Sequence, residues 1–202
     1  MKFSICIPTW NASRWLKPLL AELLEQRKRY PQTEIIVVDD GSDEDMTWLQ
    51  DLDIVSYYLG SNQGEAVARN KCIELATGDW LAFVDADDLV VSDYLDIIYK
   101  YADENLDYVV FRWMFPTGAR GDWHKESLLW NWNVWSYTYK REILTEKFDD
   151  RRVYACDYFW LEKQIKPEMK RAEFDIPIIV YNEHNPDSLT HRFQDGRIGL
   201  WK

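Results

Sequence analysis

The apolar run Trp80-Leu81-Ala82-Phe83-Val84 stops at Asp85-Ala86-Asp87-Asp88, placing three carboxylates within four residues. A strand that carries an acidic cluster at its carboxyl end is how an α/β protein presents oxygen ligands to a hard divalent cation. The competing reading is a solvated acidic turn that caps the next helix, because a new helical pattern begins at Ser92 and Asp93.

The flanking segments decide the fold class. Phe3 to Pro8 reads as a strand, and Leu16, Leu19, Leu20, Leu23 and Leu24 then recur at the spacing of an amphipathic helix. Asn11 or Ser13 is positioned to cap that helix, and Pro18 is tolerable in its early turns. Glu34 to Val38 is a second, β-branched strand ending in Asp39-Asp40-Gly41-Ser42, and Ile54 to Leu59 is a weaker third. A helix through Ala66, Ala68, Cys72, Ile73 and Ala76 stops at Gly78. After the acidic cluster come a helix from about Ser92 to Glu104 and a strand from Asp107 to Phe115. Repeated βαβ units predict an α/β fold with a mostly parallel central sheet flanked by helices. In such sheets ligands bind beyond the carboxyl ends of the strands, where Pro8-Thr9, Asp39-Asp40 and Asp85 to Asp88 all fall.

The second half changes character near Pro116. Trp123, Trp130, Trp132 and Trp135 crowd a short span and serve equally as core filling or as a sugar-stacking platform. Helical patterns follow at Arg141 to Glu146 and Tyr154 to Ile165, then a strand from Phe174 to Tyr181. No internal repeat or flexible linker divides the chain. The expectation is a single domain over 1–202, with 1–115 holding the convergent strand ends and a smaller Trp-rich half over 116–202.

Composition excludes several classes. The 202 residues are 47% hydrophobic, ample for a core, and the formal net charge of -11 argues against a general nucleic-acid backbone binder. Cys6, Cys72 and Cys156 are too scattered for a disulfide framework or a zinc site, which points to a reducing compartment. No segment has the length of apolar sequence a membrane span needs and no signal-peptide layout opens the chain, so a cytoplasmic location is expected. The tail from Arg192 to Lys202 mixes apolar and charged residues and is expected to pack back onto the domain.

Several motifs occur together in order. They are Ser4-Ile5-Cys6-Ile7-Pro8-Thr9-Trp10-Asn11, Ile35 to Ser42, Asn62-Gln63-Gly64 with Ala68-Arg69-Asn70, and Ala76-Thr77-Gly78-Asp79 leading into Phe83 to Asp88. Through these the first ninety or so residues resemble family 2 glycosyltransferases, the inverting group with the glycosyltransferase A-type fold. The likeness continues more loosely through Val134 to Arg141 and Ala155-Cys156-Asp157-Tyr158.

The resemblance implies a role for each matching residue. Asp39 would accept hydrogen bonds from the nucleotide base, with Pro8, Thr9 and Asn11 lining the same pocket. Asp85 and Asp87 resemble the two acids of an Asp-X-Asp motif, the first near the ribose and the second on Mn2+ or Mg2+. Asp88 would turn away to cap the following helix. Arg69 would either approach the diphosphate or form a structural ion pair. Asp157 matches the general base, although this chain has Cys156 where the family usually has Glu; the competing role for Asp157 is a helix N-terminal acid. His191, or less favoured His184, would complete the metal shell or contact phosphate, and His124 is placed for an acceptor.

The function so implied is metal-dependent transfer of a sugar from a nucleoside-diphosphate sugar to a hydroxyl of a glycan, a lipid-linked sugar or another acceptor. Nucleic acid is the less favoured acceptor, given the acidic charge. The alternatives are a non-catalytic sugar-nucleotide or glycan-binding protein on the same fold, and a nucleotidyltransferase. The last usually needs a Gly-rich basic loop after the first strand, which Pro8-Thr9-Trp10-Asn11 does not supply.

Overall fold

A computed structural model of the chain describes residues 1–120 and 133–200. The first unit runs β1 (Phe3–Thr9), α1 (Ser13–Arg27), β2 (Glu34–Asp39) and β3 (Val55–Tyr58). Next come α2 (Glu65–Leu75), β4 (Trp80–Phe83), the short β5 (Leu89–Val90), α3 (Tyr94–Tyr101) and β6 (Tyr108–Met114). The last part holds β7 (Tyr137–Lys140), α4 (Cys156–Gln164), β8 (Arg171–Val180) and α5 (Leu189–Gln194).

These strands form one eight-stranded sheet in the order β3-β2-β1-β4-β7-β6-β8-β5. The neighbours among β3, β2, β1 and β4 all pair in parallel, as expected from the βαβ pattern. Beyond β4 the sheet is mixed. The strand at 108–114 does not join β4, because β7 lies between them and runs antiparallel to both. β8 then pairs parallel to β6, and β5 antiparallel to β8. Nothing in the periodicity of Tyr137–Lys140 announces a strand, since four residues carry no measurable alternation.

β1 is buried along its whole length, as a central strand covered on both faces requires. Its odd residues Phe3, Ile5 and Ile7 pack with Leu16, Leu19, Leu20 and Leu23 of α1 and with Leu95 and Ile98 of α3. Cys6 faces the opposite core with Ile36, Val38, Phe83, Ala68 and Cys72 of α2, and Trp160 and Leu161 of α4. In that second core Phe148 stacks on Trp160 with centroids 4.4 Å apart, and Phe83 and Tyr139 meet Trp160 edge-on. This aromatic group seats α4 against the carboxyl half of the sheet.

The start of α1 is capped differently from the expectation. Ala12 is the N-cap and has no side-chain bond, while Glu44 reaches across from the loop after β2 to accept from the Ser13 amide at 2.8 Å. Asn11 instead takes a left-handed conformation with φ of 50°, and its side-chain oxygen accepts from the Asp43 amide at 2.8 Å. The β1 and β2 loops are therefore laced together, which holds two strand ends in fixed relation.

At the opposite end of the sheet, Glu34 accepts from Lys2 Nζ (2.6 Å), Ser4 Oγ (2.5 Å), Thr77 N (2.6 Å) and Gly78 N (3.2 Å). Burial works to raise its pKa, but the hydrogen bonds from Lys2, Ser4 and Thr77 prevail and lower it from 4.5 to about 2. A carboxyl with a depressed folded pKa stabilises the fold fully above its unfolded value and loses that contribution as pH falls through the folded one. Thermal unfolding followed against pH should thus show a stability loss between pH 4.5 and about 2 that Glu34→Gln largely removes. The same variant should cost about 1.5 to 3 kcal/mol at pH 7.

Candidate functional site

β2, β1 and β4 are parallel neighbours, so their carboxyl ends open on the same edge of the sheet. Thr9 ends β1, and its hydroxyl oxygen is buried with no hydrogen-bond partner among the described residues. Asp39 ends β2 and accepts through Oδ1 from the Ser42 amide (3.0 Å) and hydroxyl (2.6 Å). A cleft of about 380 Å³ lies beside it, lined by Asp39, Ser42, Met46, Tyr57 and Tyr58 among others. Asp40, the next residue, serves the fold: its two carboxylate oxygens accept from the amides of Gln63 and Gly64, each at 2.8 Å, at the entry to α2. The Asn11 amide donates to Ser42 Oγ at 2.8 Å, which closes this side of the site.

The acids after β4 have three different environments. Asp85 Oδ1 accepts from Arg69 Nη2 at 2.9 Å. Asp87 Oδ2 accepts from Asn185 Nδ2 at 2.7 Å. Asp88 Oδ1 accepts from the Asn182 amide at 2.8 Å, so it ties down the segment after β8 and does not cap α3, whose N-cap Asp93 has no side-chain bond. Asp88 is almost fully buried, and its one hydrogen-bonded carboxylate oxygen is taken by the Asn182 amide. Its Oδ2 is buried without a hydrogen-bond partner among the described residues.

Burial first, and then the charge of Asp85, raise the pKa of Asp87, against weaker lowering by Asn185 and Arg69. Burial and the charges of Asp85 and Asp87 push Asp88 well up. Carboxylates that repel one another in a half-desolvated site are relieved by a cation, and oxygen donors suit Mn2+ or Mg2+. No group of three or more His, Cys, Asp or Glu that could hold a metal occurs among the described residues. Such an ion would take part of its coordination from elsewhere, as hard cations do when a substrate phosphate is present. His191 is not brought to the acids directly: its Nδ1 lies 2.8 Å from the Asn185 carbonyl and 3.0 Å from Ser188 Oγ. Asn185 therefore bridges His191 on one side and Asp87 on the other. His184 sits in the same turn, its amide donating to Asn182 Oδ1 at 3.1 Å.

Arg69 is 2% exposed, and the structure realises the ion-pair alternative for it. Its Nη2 donates to both Asp85 and Glu65, the latter at 2.8 Å, and its Nη1 donates to Cys156 Sγ at 3.4 Å. Glu65 escaped the sequence reading. The available signal was its position four residues before Arg69 on one helix, which puts both on the same face. The Cys156 thiol in turn donates to Glu65 Oε2 at 3.3 Å, so a carboxylate does meet position 156, but it arrives from α2. Burial raises the Glu65 carboxyl, with the charges of Asp85 and Asp157 adding to it and Arg69 opposing.

Asp157 lies in the first turn of α4, where Oδ1 accepts from the Tyr158 amide at 2.9 Å. Burial raises its pKa, Arg69 pulls it down and Asp85 pushes it up. The residue before Cys156, Ala155, has φ of 57°. With Asn11 it makes the two non-glycine residues of positive φ among the described residues, and both border this site. Left-handed backbone in a residue with a Cβ costs of order 1–3 kcal/mol and persists where surrounding structure enforces it.

The remaining candidates separate. Trp135 is core, stacked on Tyr181 at 6.1 Å and meeting Trp113 edge-on at 5.8 Å. His124, Trp123, Trp130 and Trp132 lie outside the described residues. The tail packs back as expected, with Phe193 stacked on Tyr154 at 4.2 Å and Arg192 over the Trp10 ring at 5.3 Å. No helix among the described residues is long and apolar enough to cross a membrane.

Comparison with known proteins bears on the same region. The family model described as Glycosyl transferase family 2 matches residues 4–169. An uncharacterized glycosyltransferase of Rickettsia conorii is 34% identical over 109 residues, covering 52% of this chain and 18% of the relative. The poly(ribitol-phosphate) beta-N-acetylglucosaminyltransferase TarS of Staphylococcus aureus is 31% identical over 132 residues, covering 60% of this chain and 22% of TarS. The chain thus spans well under two thirds of the length of these relatives. TarS 1-349 in complex with UDP-GlcNAc superimposes with a TM-score of 0.78 at 21% identity, over 94% of this chain and 61% of that one. A mannosyltransferase of Pyrobaculum calidifontis, in complex with GDP-Man and Mn2+, superimposes with a TM-score of 0.69 at 19% identity, over 99% of this chain and 65% of that one.

Proposed function

The chain belongs to glycosyl transferase family 2, and from that premise we propose that it moves a sugar from a nucleoside-diphosphate sugar to an acceptor hydroxyl by a single inverting displacement assisted by a divalent cation. The observation that carries this reading is the convergence of Thr9, Asp39 and the acids Asp85 and Asp87 on the carboxyl edge of three adjacent parallel strands. A uridine nucleotide is the first donor to test, because TarS has been crystallised with UDP-GlcNAc.

In the proposed mechanism Asp39 receives the base, with Pro8, Thr9 and Asn11 around it, and Asp85 faces the ribose. Asp87, with Asp85, would hold Mn2+ or Mg2+, which when bound supplies positive charge for the departing diphosphate. Asp157 accepts the proton of the acceptor hydroxyl as its oxygen attacks the anomeric carbon and the bond from that carbon to the phosphate oxygen breaks. The raised basicity that burial gives Asp157 suits that task. Arg69, held by Asp85 and Glu65, keeps a positive charge under the acids so that they do not repel the diphosphate unopposed.

Titration calorimetry with UDP, GDP, ADP and CDP, with and without Mn2+, tests the donor half of the reading. Mn2+ is expected to tighten at least one of them about tenfold or more, which is about 1.4 kcal/mol. Absence of metal-enhanced binding for all of them sinks the proposal. If binding occurs but incubation with UDP-GlcNAc and candidate acceptors never releases UDP, the protein is a binding module on the same fold.

A further inference from the structure

We propose that Glu65 is a positioning residue for the transfer step, a carboxylate on α2 that holds the first turn of α4, and with it Asp157, in its working orientation. The inference rests on the glycosyl-transfer reading above and deepens it.

Two ties run from α2 to the segment leading into α4. Asn70 makes the first: its Nδ2 donates to the Phe148 carbonyl at 3.0 Å and its Oδ1 accepts from the Phe148 amide at 2.9 Å. Glu65 makes the second, through the Cys156 thiol at 3.3 Å. Between these anchors the chain passes through Ala155, whose left-handed backbone needs enforcement from its surroundings. Asp157 follows immediately, so releasing Cys156 releases the base.

Glu65 also decides where the charge of Arg69 goes. The same Nη2 serves Glu65 at 2.8 Å and Asp85 at 2.9 Å, and Nη1 reaches Cys156 at 3.4 Å. The charged and titratable groups facing Glu65 are Arg69 from its own helix, Asp85 from the end of β4, and Cys156 and Asp157 from α4. With Glu65 in place Arg69 is shared among neighbours. Without it Nη2 stays on Asp85 at 2.9 Å, beneath the acids, while the guanidinium loses its second carboxylate and more of its charge falls on Asp157, which would weaken that carboxylate as a base. A quarter of the Glu65 side chain is exposed, so it borders the site rather than lying sealed in the core. No motif read from the sequence assigns it a task.

The test uses UDP release from UDP-GlcNAc in the presence of Mn2+, with water as acceptor, alongside UDP titration and thermal unfolding. Three variants are compared with the wild type: Glu65→Gln, Glu65→Ala and the exchange Glu65→Ala/Cys156→Glu. Both single variants are expected to lower kcat about 10- to 100-fold, the cost of a misplaced catalytic group. Their KM for UDP-GlcNAc and Kd for UDP should stay within about threefold, since donor contacts are elsewhere. The exchange variant returns a carboxylate to the gap between Arg69 and α4, and its kcat should recover to within about threefold of wild type. Wild-type kcat in Glu65→Ala overturns the inference. So does a rise in KM and Kd that matches the fall in kcat, or an exchange variant that regains thermal stability without regaining rate. Should Glu65→Ala fail to fold, Glu65→Gln carries the same comparison. A wild type that binds no UDP and releases none defeats the underlying reading instead, and does so before any variant is made.

Discussion

Asp157→Asn is expected to lower UDP release from UDP-GlcNAc by about 10²- to 10⁴-fold, the range for loss of a general base, while UDP affinity stays within about twofold. Asparagine keeps the shape and can still accept from the Tyr158 amide, as Asp157 does at 2.9 Å. It cannot take a proton from an attacking hydroxyl. Burial leads the upward shift of the Asp157 pKa, with Asp85 adding to it against Arg69. A base works in its ionised form, so activity should fall as pH drops through this raised pKa, and the acid limb of the rate profile should lie above the ordinary value of 3.8. The stability effect runs the other way from the activity effect. A raised carboxyl pKa means that the folded state disfavours the charge at neutral pH, and Asn removes that charge, so the unfolding midpoint should hold or rise. Loss of UDP binding in this variant would make Asp157 a structural helix-terminal acid and remove it from the chemistry.

Asp87→Ala should abolish the Mn2+ enhancement of UDP binding, with an expected loss of about tenfold or more in affinity when metal is present. In metal-free buffer the affinity should be unchanged or slightly better, because a carboxylate that repels diphosphate has gone. Only the metal arm should weaken, whereas simple damage to the site would lower both. Asp87 also receives the Asn185 amide at 2.7 Å, so the substitution loosens the turn that carries His191. Asn185→Ala serves as the control: it breaks the same tie and leaves the carboxylate in place. If Asp87→Ala keeps the full metal effect in calorimetry, Asp87 is not a metal ligand.

Local features of the sequence sufficed for the strands and helices up to β4, though not for their caps. Apolar runs such as Ile35 to Val38 and the leucine spacing of α1 carry their own periodicity, and the elements found there agree with it closely. Past β4 the periodic signal weakens. β7 spans four residues and β5 two, and both are defined by what lies beside them in the sheet. The caps tell the same story, since Glu44 and Asp40 stabilise helix entries far from themselves in sequence. Arg69 was legible as a charged residue of interest, and Glu65 lies one helical turn before it, but whether it pairs with the acids or faces a phosphate depends on Asp85, a carboxylate brought to it by folding.

The sequence by itself determined that acids would stand at the carboxyl ends of parallel strands, because strand pattern and βαβ handedness leave little choice about where those ends go. It also determined the family, through motifs that keep their order and spacing. Only the tertiary structure decided how the acids divide their work: Asp40 to the α2 entry, Asp88 to the segment after β8, Asp85 to Arg69, and Asp87 to Asn185. Only the tertiary structure brought Glu65 to Cys156, residues 91 positions apart. The physical reason is range: periodicity reports on neighbours a turn or a strand away, whereas burial, pairing and the pKa shifts they cause are set by groups that meet only when the sheet and its helices close on one another.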